Sequence, residues 1–200
     1  MKKQMNLQEN LLKKIKNISL ILFLVLFSES ILAKEKWVLD NELSTIDFEL
    51  PVFLAKNVKG KFSKIDGLVE IDIDEKKNNK AILSIHIDSV EINYDKYKNL
   101  LLSETFFHEK KFPIALIDTK KFQYNSEKEI KLIVEVNIKG TTHNIPIFLE
   151  IINLTEDLVQ INGKINFARS KFNVGIGNWS STAILKDIVE IKANLFFFKN

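Results

Sequence analysis

The sequence predicts a mainly β protein: one domain of about eight antiparallel strands closed into a barrel, with one or two short helices. Three observations predict it. Apolar residues recur with a period of two through most of the chain beyond residue 33, the spacing that puts alternate side chains on one face of a strand. Polar, turn-forming stretches of hairpin length separate these runs at regular intervals. β-Branched and aromatic residues are abundant, with 15 Phe in 200 residues, and these fit a pleated, half-buried surface. An open sheet of eight strands must curl, pair with a second sheet or close, and closure removes its exposed edges.

The first 33 residues read differently. Lys2, Lys3, Lys13, Lys14 and Lys16 precede an apolar run from Ile18 to Phe27, followed by "SESILA" ending at Ala33. Basic, apolar, small-residue is the order of a secretory signal peptide. The run is short of the ~20 residues a membrane-spanning helix needs. The expectation is export to the periplasm or medium, with cleavage after Ala33. A cut after Ser30, or retention as an anchor through Ile31 and Leu32, is the alternative. No cysteine is present, so lipid attachment through Cys is excluded. Residues 34–200 suffice for one domain, which at that size buries roughly 70% of its unfolded surface and needs no disulfides.

Charge narrows the partners. The chain carries +3 overall, but the leader holds five Lys against two Glu, which leaves 24 basic and 24 acidic residues beyond it. With no long basic stripe, nucleic acid is not an expected partner, and neither is an anionic membrane surface.

In chain order, "STIDFEL" (Ser44 to Leu50) and "GLVEIDID" (Gly67 to Asp74) alternate cleanly. "AILSIHIDSVEI" (Ala81 to Ile92) and "IALIDTKKF" (Ile114 to Phe122) come next. The hairpin "EIKLIVEVNIKGTTHNIPIFLEIINL" (Glu129 to Leu154) follows. Leu132, Val134, Val136 and Ile138 share a face of its first strand, Ile145, Ile147, Leu149 and Ile151 a face of its second, and Phe148 and Ile152 intrude on the polar side. "LVQINGKINFA" (Leu158 to Ala168) and "DIVEIKANLFFF" (Asp187 to Phe198) close the chain, and Gly163 within a strand marks a bulge or bend. Asn93 to Phe107 reads as a short helix with Tyr97, Leu100 and Leu101 on one face and Asn93 as its cap. A second helical or irregular stretch is placed near Phe53 to Phe62.

Five stretches in order carry a resemblance: "STIDFEL", "VKGKFSKIDGLVEID", "LLLSETFFHEKKFPIALI", "IKGTTHNIPI" and "FARSKFNVGI". Together they resemble the YceI family of exported, lipocalin-like barrels that bind polyisoprenoid or other long-chain amphiphiles. The likeness runs from Trp37 to about Phe197. The matching positions are Ser44 and Phe48, then Gly60, Phe62 and Gly67, then Phe106, Phe107 and Pro113. Further on they are Gly140, Thr141 and Pro146, then Arg169, Ser170, Phe172 and Gly175. The chain departs from the family at Leu100 or Leu101, where a His is usual, and at His108, where an Asp is usual.

The resemblance implies one long isoprenoid, isoprenoid-quinone or acyl chain held in the barrel, without catalysis and without a cofactor. It leaves a homodimer open. The candidate tunnel residues are Phe48, Phe53 and Phe62 from the first third of the domain, with Phe106 and Phe107 from the helical segment. Val134, Val136 and Phe148 from the hairpin and Phe167 and Phe172 from the last third complete them. Arg169 is the one Arg beside 28 Lys. A planar fork of donors suits fixed pairing with a carboxylate or backbone carbonyls, so Arg169 is a structural strut or a head-group contact.

Groups suited to covalent chemistry are few. His86 and Asp88 lie two apart without a third metal ligand near in sequence, His108 and His143 fall in loops, and Ser170 has no evident His–Asp partner. No catalytic residue or metal site is assigned. A lipid-modifying enzyme and a non-binding structural domain on the same barrel are the competing readings.

Overall fold

Ten strand segments close into an eight-stranded antiparallel barrel. The computed structural model describes residues 34–52, 56–72, 74–94 and 97–200. The segments are β1 (Lys34–Leu50), β2 (Val58–Phe62), β3 (Ile65–Asp72), β4 (Asn79–His86), β5 (Val90–Ile92), β6 (Ile114–Phe122), β7 (Glu129–Ile138), β8 (Thr141–Asn153), β9 (Leu158–Ala168) and β10 (Ile188–Lys199). β2 and β3 are two halves of one barrel strand: β2 pairs with the end of β1 and β3 with its beginning. β4 and β5 are likewise halves of the next, broken by a 3-10 turn at Ile87–Ser89, with β4 on β3 and β5 on β2. Neighbours then follow as a meander from β6 to β10, and β10 returns to pair with β1 from Trp37↔Lys199 to Glu49↔Glu190. Closure leaves no long free edge on the ring. The seam between β6 and β7 is short, running from Leu116↔Asn137 to Asp118↔Glu135.

Several sequence expectations change here. β1 begins ten residues before Ser44, because Trp37 and Leu39 face inward while Asp40 to Leu43 form a bulge. Asp40 Oδ1 accepts from the N–H groups of Glu42 and Leu43, and Ser44 Oγ accepts from Phe196 N–H, so the interrupted ladder keeps its partners. The run from Ala81 to Ile92 is two strands. Val58–Phe62 is a strand, not part of a helix, whereas Phe53 lies outside the described residues. The helix, α1, is short, Lys98–Leu102, with Tyr97 at its start and no side-chain cap. Asn93 instead ties β2 in place: its Oδ1 accepts from Lys59 N–H and its Nδ2 donates to Asn57 O. Gly163 is not a bulge, since it pairs in regular register with Leu149 and Ala193.

The two ends of the barrel differ. Connections of residues 73–78, 123–128 and 154–157 are short, and a cluster of buried residues packs beneath them. There Trp37 meets Tyr124 edge to face at 6.3 Å, over Ile71, Ile130, Ile151, Val159 and Phe197. The other end carries the long connections 51–57, 93–113 and 169–187 and the tight turn at Lys139–Gly140. Its buried cluster is Leu50, Phe106, Val134, Val136, Ile138, Phe172, Val174 and Leu185 with their neighbours. The closed ring and both clusters lie within residues 34–200, so this segment carries a complete core.

Two tests follow from this architecture. Gly60 sits under the Phe48 ring, and an added Cβ would lie 2.5 Å from Phe48 Cζ and 2.6 Å from Glu91 O. Gly60→Ala is expected to lower stability by about 1–3 kcal/mol through overpacking, read from urea denaturation; an unchanged midpoint contradicts the close approach.

At the short-loop end, the Asn78 amide and then the Glu75 N–H hold the buried Asp72 carboxyl below its usual pKa. A lowered folded-state pKa stabilises above the unfolded value of about 3.9, and that contribution is lost as pH falls through the lower folded value. The acid limb of the stability profile should therefore flatten in Asp72→Asn, as measured by thermal melts from pH 6 down to about 2.

Candidate ligand-binding cavity

The inward positions of the barrel do not fill it. A cavity of about 190 Å³ runs from Val69, Leu195 and Phe197 in mid-barrel up to Leu50, Val58 and Leu101 at the long-loop end. Small residues at inward positions create it. Ala81, Ala115, Gly163 and Ala193 stand where β4, β6, β9 and β10 elsewhere present Ile, Leu or Val. A Cβ on Gly163 would meet Leu149 at 3.1 Å and Ala193 at 3.5 Å, so its missing side chain widens the bore.

The aromatic residues shape the upper part. Phe48, Phe62 and Phe107 form a row, with ring centroids 5.7 Å and 6.0 Å apart, that joins β1 and β2 to the segment after α1. Phe106 caps the cavity beside Trp179, at 5.9 Å. Of the residues proposed from sequence, Phe48, Phe62, Phe106, Phe107, Val136 and Phe167 line the cavity. Val134 and Phe172 are fully buried in the cluster at the long-loop end, where Phe172 stacks against Phe167 at 5.0 Å. Phe148 lies on the outer surface, 39% exposed, opposite Lys131 and Lys164.

Among the described residues the wall is apolar apart from Thr119, Lys164 and Arg169, and Lys164 turns its ammonium to Glu190, 3.1 Å away. Thr119 Oγ1 accepts from Ala81 N–H and donates to Ala81 O or Lys120 O, where the β4–β6 register shifts between Lys80 and Ile82. Arg169 is 2% exposed and spends its guanidinium on backbone. Nε donates to Lys186 O, Nη1 to Val174 O and Gly175 O, and Nη2 to Trp179 O and Leu185 O, at 2.8–3.1 Å. That is the full set of five guanidinium donors. Burial pulls the Arg169 pKa down, and the nearby Asp187 carboxylate pushes it back. Gly175, at φ +75°, brings its carbonyl onto Nη1, and a Cβ there would lie 2.5 Å from that nitrogen.

The polar candidates stay apart. His86 Nε2 lies 2.8 Å from Asp66 Oδ2 on the outer face, His143 Nε2 2.9 Å from Lys171 O, and His108 Nε2 3.5 Å from Glu104. Ser170 Oγ donates to Asp187 Oδ2 at 2.9 Å. Among the described residues no three His, Cys, Asp or Glu side chains cluster as metal ligands. Sequence reading caught much of the aromatic lining and missed the small residues. Their signal was present: Ala193 between Ile191 and Leu195, and Gly163 between Ile161 and Ile165, are gaps in an otherwise bulky inward face.

Comparison with known proteins agrees with this geometry. The model of the YceI-like domain matches residues 37–197. The chain belongs to the YceI-like family. Among solved structures, the YceI-like domain here resembles Burkholderia cenocepacia BcnA, with a TM-score of 0.72 and 22% identity over 79% of this chain and 98% of that one. It also resembles a polyisoprenoid binding domain from Saccharophagus degradans (TM-score 0.65, 15% identity, 82% and 98% covered). A Campylobacter jejuni YceI protein aligns with a TM-score of 0.63 and 22% identity over 75% and 90%. At these identities the likeness is one of fold. UPF0312 protein SAB2563 of Staphylococcus aureus is 31% identical over 104 residues, 52% of this chain and 58% of that protein. The chain thus spans little more than half the length of the curated relatives it matches. No described helix is long and apolar enough to cross a membrane.

Proposed function

We propose that this YceI-like barrel is an exported carrier that holds one long apolar chain, an isoprenoid, isoprenoid quinone or fatty-acid derivative, without a covalent step. The observation that carries the reading is the apolar cavity: the polar residues of its wall among the described residues, Thr119, Lys164 and Arg169, are already hydrogen-bonded or ion-paired within the protein. Such a wall offers no group to orient a polar substrate and no acid–base pair for turnover. It suits methylene or methyl-branched chains, each buried CH₂ contributing up to ~0.8 kcal/mol before the cost of immobilisation. The fold likeness to a polyisoprenoid binding domain supports the ligand class. The basic–apolar–small leader of residues 1–33, which lies outside the described residues, supports export.

The test is native mass spectrometry and organic extraction of protein purified from its own compartment. One lipid of defined mass at one per barrel is the expected result. Protein that is always empty, and that ignores an added prenyl alcohol and an added fatty acid, overturns the proposal.

A further inference from the structure

Building on the carrier reading, we propose that the long-loop end of the barrel docks on an anionic lipid surface, with the loop of residues 173–187 entering the headgroup layer. A net charge of zero beyond the leader conceals an uneven distribution. The connections 51–57, 93–113, 139–140 and 169–187 hold nine basic residues against four acidic. Those at the opposite end, 73–78, 123–128 and 154–157, hold three basic against five acidic. With Lys34, Glu35, Lys36 and Lys199, which adjoin that end, its count is six basic against six acidic, so the charge excess lies at the long-loop end alone. At the basic end Asp187 is occupied by the N–H and Oγ of Ser170. Whole-chain charge, the basis for discounting an anionic surface from sequence, averages this polarity away.

The second observation is apolar. The same loop buries Val174 and Leu185 but turns Ile176 and Ile184 outward, 45% and 57% exposed. A lone exposed isoleucine is ordinary. These two are held in place: the N–H groups of Gly175 and Ile176 both donate to Thr105 O, and five Arg169 bonds pin the loop on both sides of them. The loop is therefore preorganised to display them, and ordering it at a surface costs little. It also lies over the end that the cavity reaches, where Phe106 and Val174 line the cavity and Trp179 stacks on Phe106. Basic residues draw this end to anionic headgroups within a Debye length of about 8 Å at physiological salt. The isoleucines then enter the boundary of the acyl region. An apolar chain so transferred never crosses open water.

The two tryptophans report orientation, because Trp179 lies in this loop and Trp37 at the far end. Residues 34–200 are mixed with phosphatidylglycerol–phosphatidylcholine vesicles carrying brominated acyl chains. In Trp37→Phe the remaining Trp179 should be quenched; in Trp179→Phe the remaining Trp37 should not. Co-sedimentation should rise with the phosphatidylglycerol fraction. It should fall on the order of tenfold in Ile176→Ser/Ile184→Ser, in Lys110→Glu/Lys171→Glu, or at about 0.5 M salt, but not in Lys76→Glu/Lys77→Glu at the other end. Equal quenching of both tryptophans, or no vesicle binding at low salt, overturns the docking. A barrel that retains its lipid in native spectra yet ignores vesicles refutes the docking alone. One that binds vesicles through this end but never retains a lipid refutes the carrier alone.

Discussion

Ala193→Phe should abolish lipid retention while leaving the barrel as stable as before or more so. Ala193 faces inward on β10 between Ile191 and Leu195, beside Gly163 on β9, at the waist of the cavity. A phenyl ring there occupies the volume a chain would use. Filling a void adds buried apolar area at about 25 cal/mol per Å², which offsets the strain of seating a larger side chain, typically 1–3 kcal/mol when a core is already full. Binding and stability therefore move in different directions. In native mass spectra the lipid-bound fraction should drop at least tenfold, with melting temperature unchanged or raised. Ala193→Leu guards against misfolding and should give an intermediate loss. If Ala193→Phe folds and still carries lipid at wild-type stoichiometry, the ligand is not in this cavity.

The second large effect falls on stability. Arg169→Lys should destabilise the fold by about 3–5 kcal/mol, because an ammonium offers three donors to five buried carbonyls and cannot spread them in a plane. For a domain of this size that corresponds to a melting temperature lower by roughly 6–20 °C. The damage should be local first. The loop of residues 173–187 depends on these bonds for Val174, Gly175, Trp179, Leu185 and Lys186 alike, so limited proteolysis should cut there before elsewhere. Arg169→Gln should behave as Arg169→Lys or worse. If either variant melts like the parent, the guanidinium is not the strut of this end.

The strands were legible where one face alternated strictly, as in β7, whose inward residues Leu132 to Ile138 are those the period marks. The barrel was legible too, since regular hairpin spacing of eight strands leaves closure as the economical way to bury every edge. What could not be read were places where tertiary contacts override local pattern. Asp40 to Leu43 look like a turn but form a bulge held by Asp40 and Ser44, whose partner Phe196 is far away in sequence. Ile87 to Ser89 look like strand but form the 3-10 turn between the halves of one barrel strand, which pair with the two halves of its neighbour. Asn93 looks like a helix cap, but its hydrogen bonds go to β2 and the residue before it. At the cavity, Phe content pointed to apolar lining, yet the void itself comes from residues too small to draw notice. The uniqueness of Arg169 pointed to a fixed geometric task, but composition alone does not say which carbonyls it would meet.

Trp37 and Tyr124 stopper one end of the barrel, so the sac has a floor there and reaches toward the opposite end. On the carrier reading proposed above, a guest would go in tail first and come out head first, and anything longer than the sac would leave its polar end outside. Selection among guests would act on the width and branching of the tail, while the head stays free for whatever receives it next.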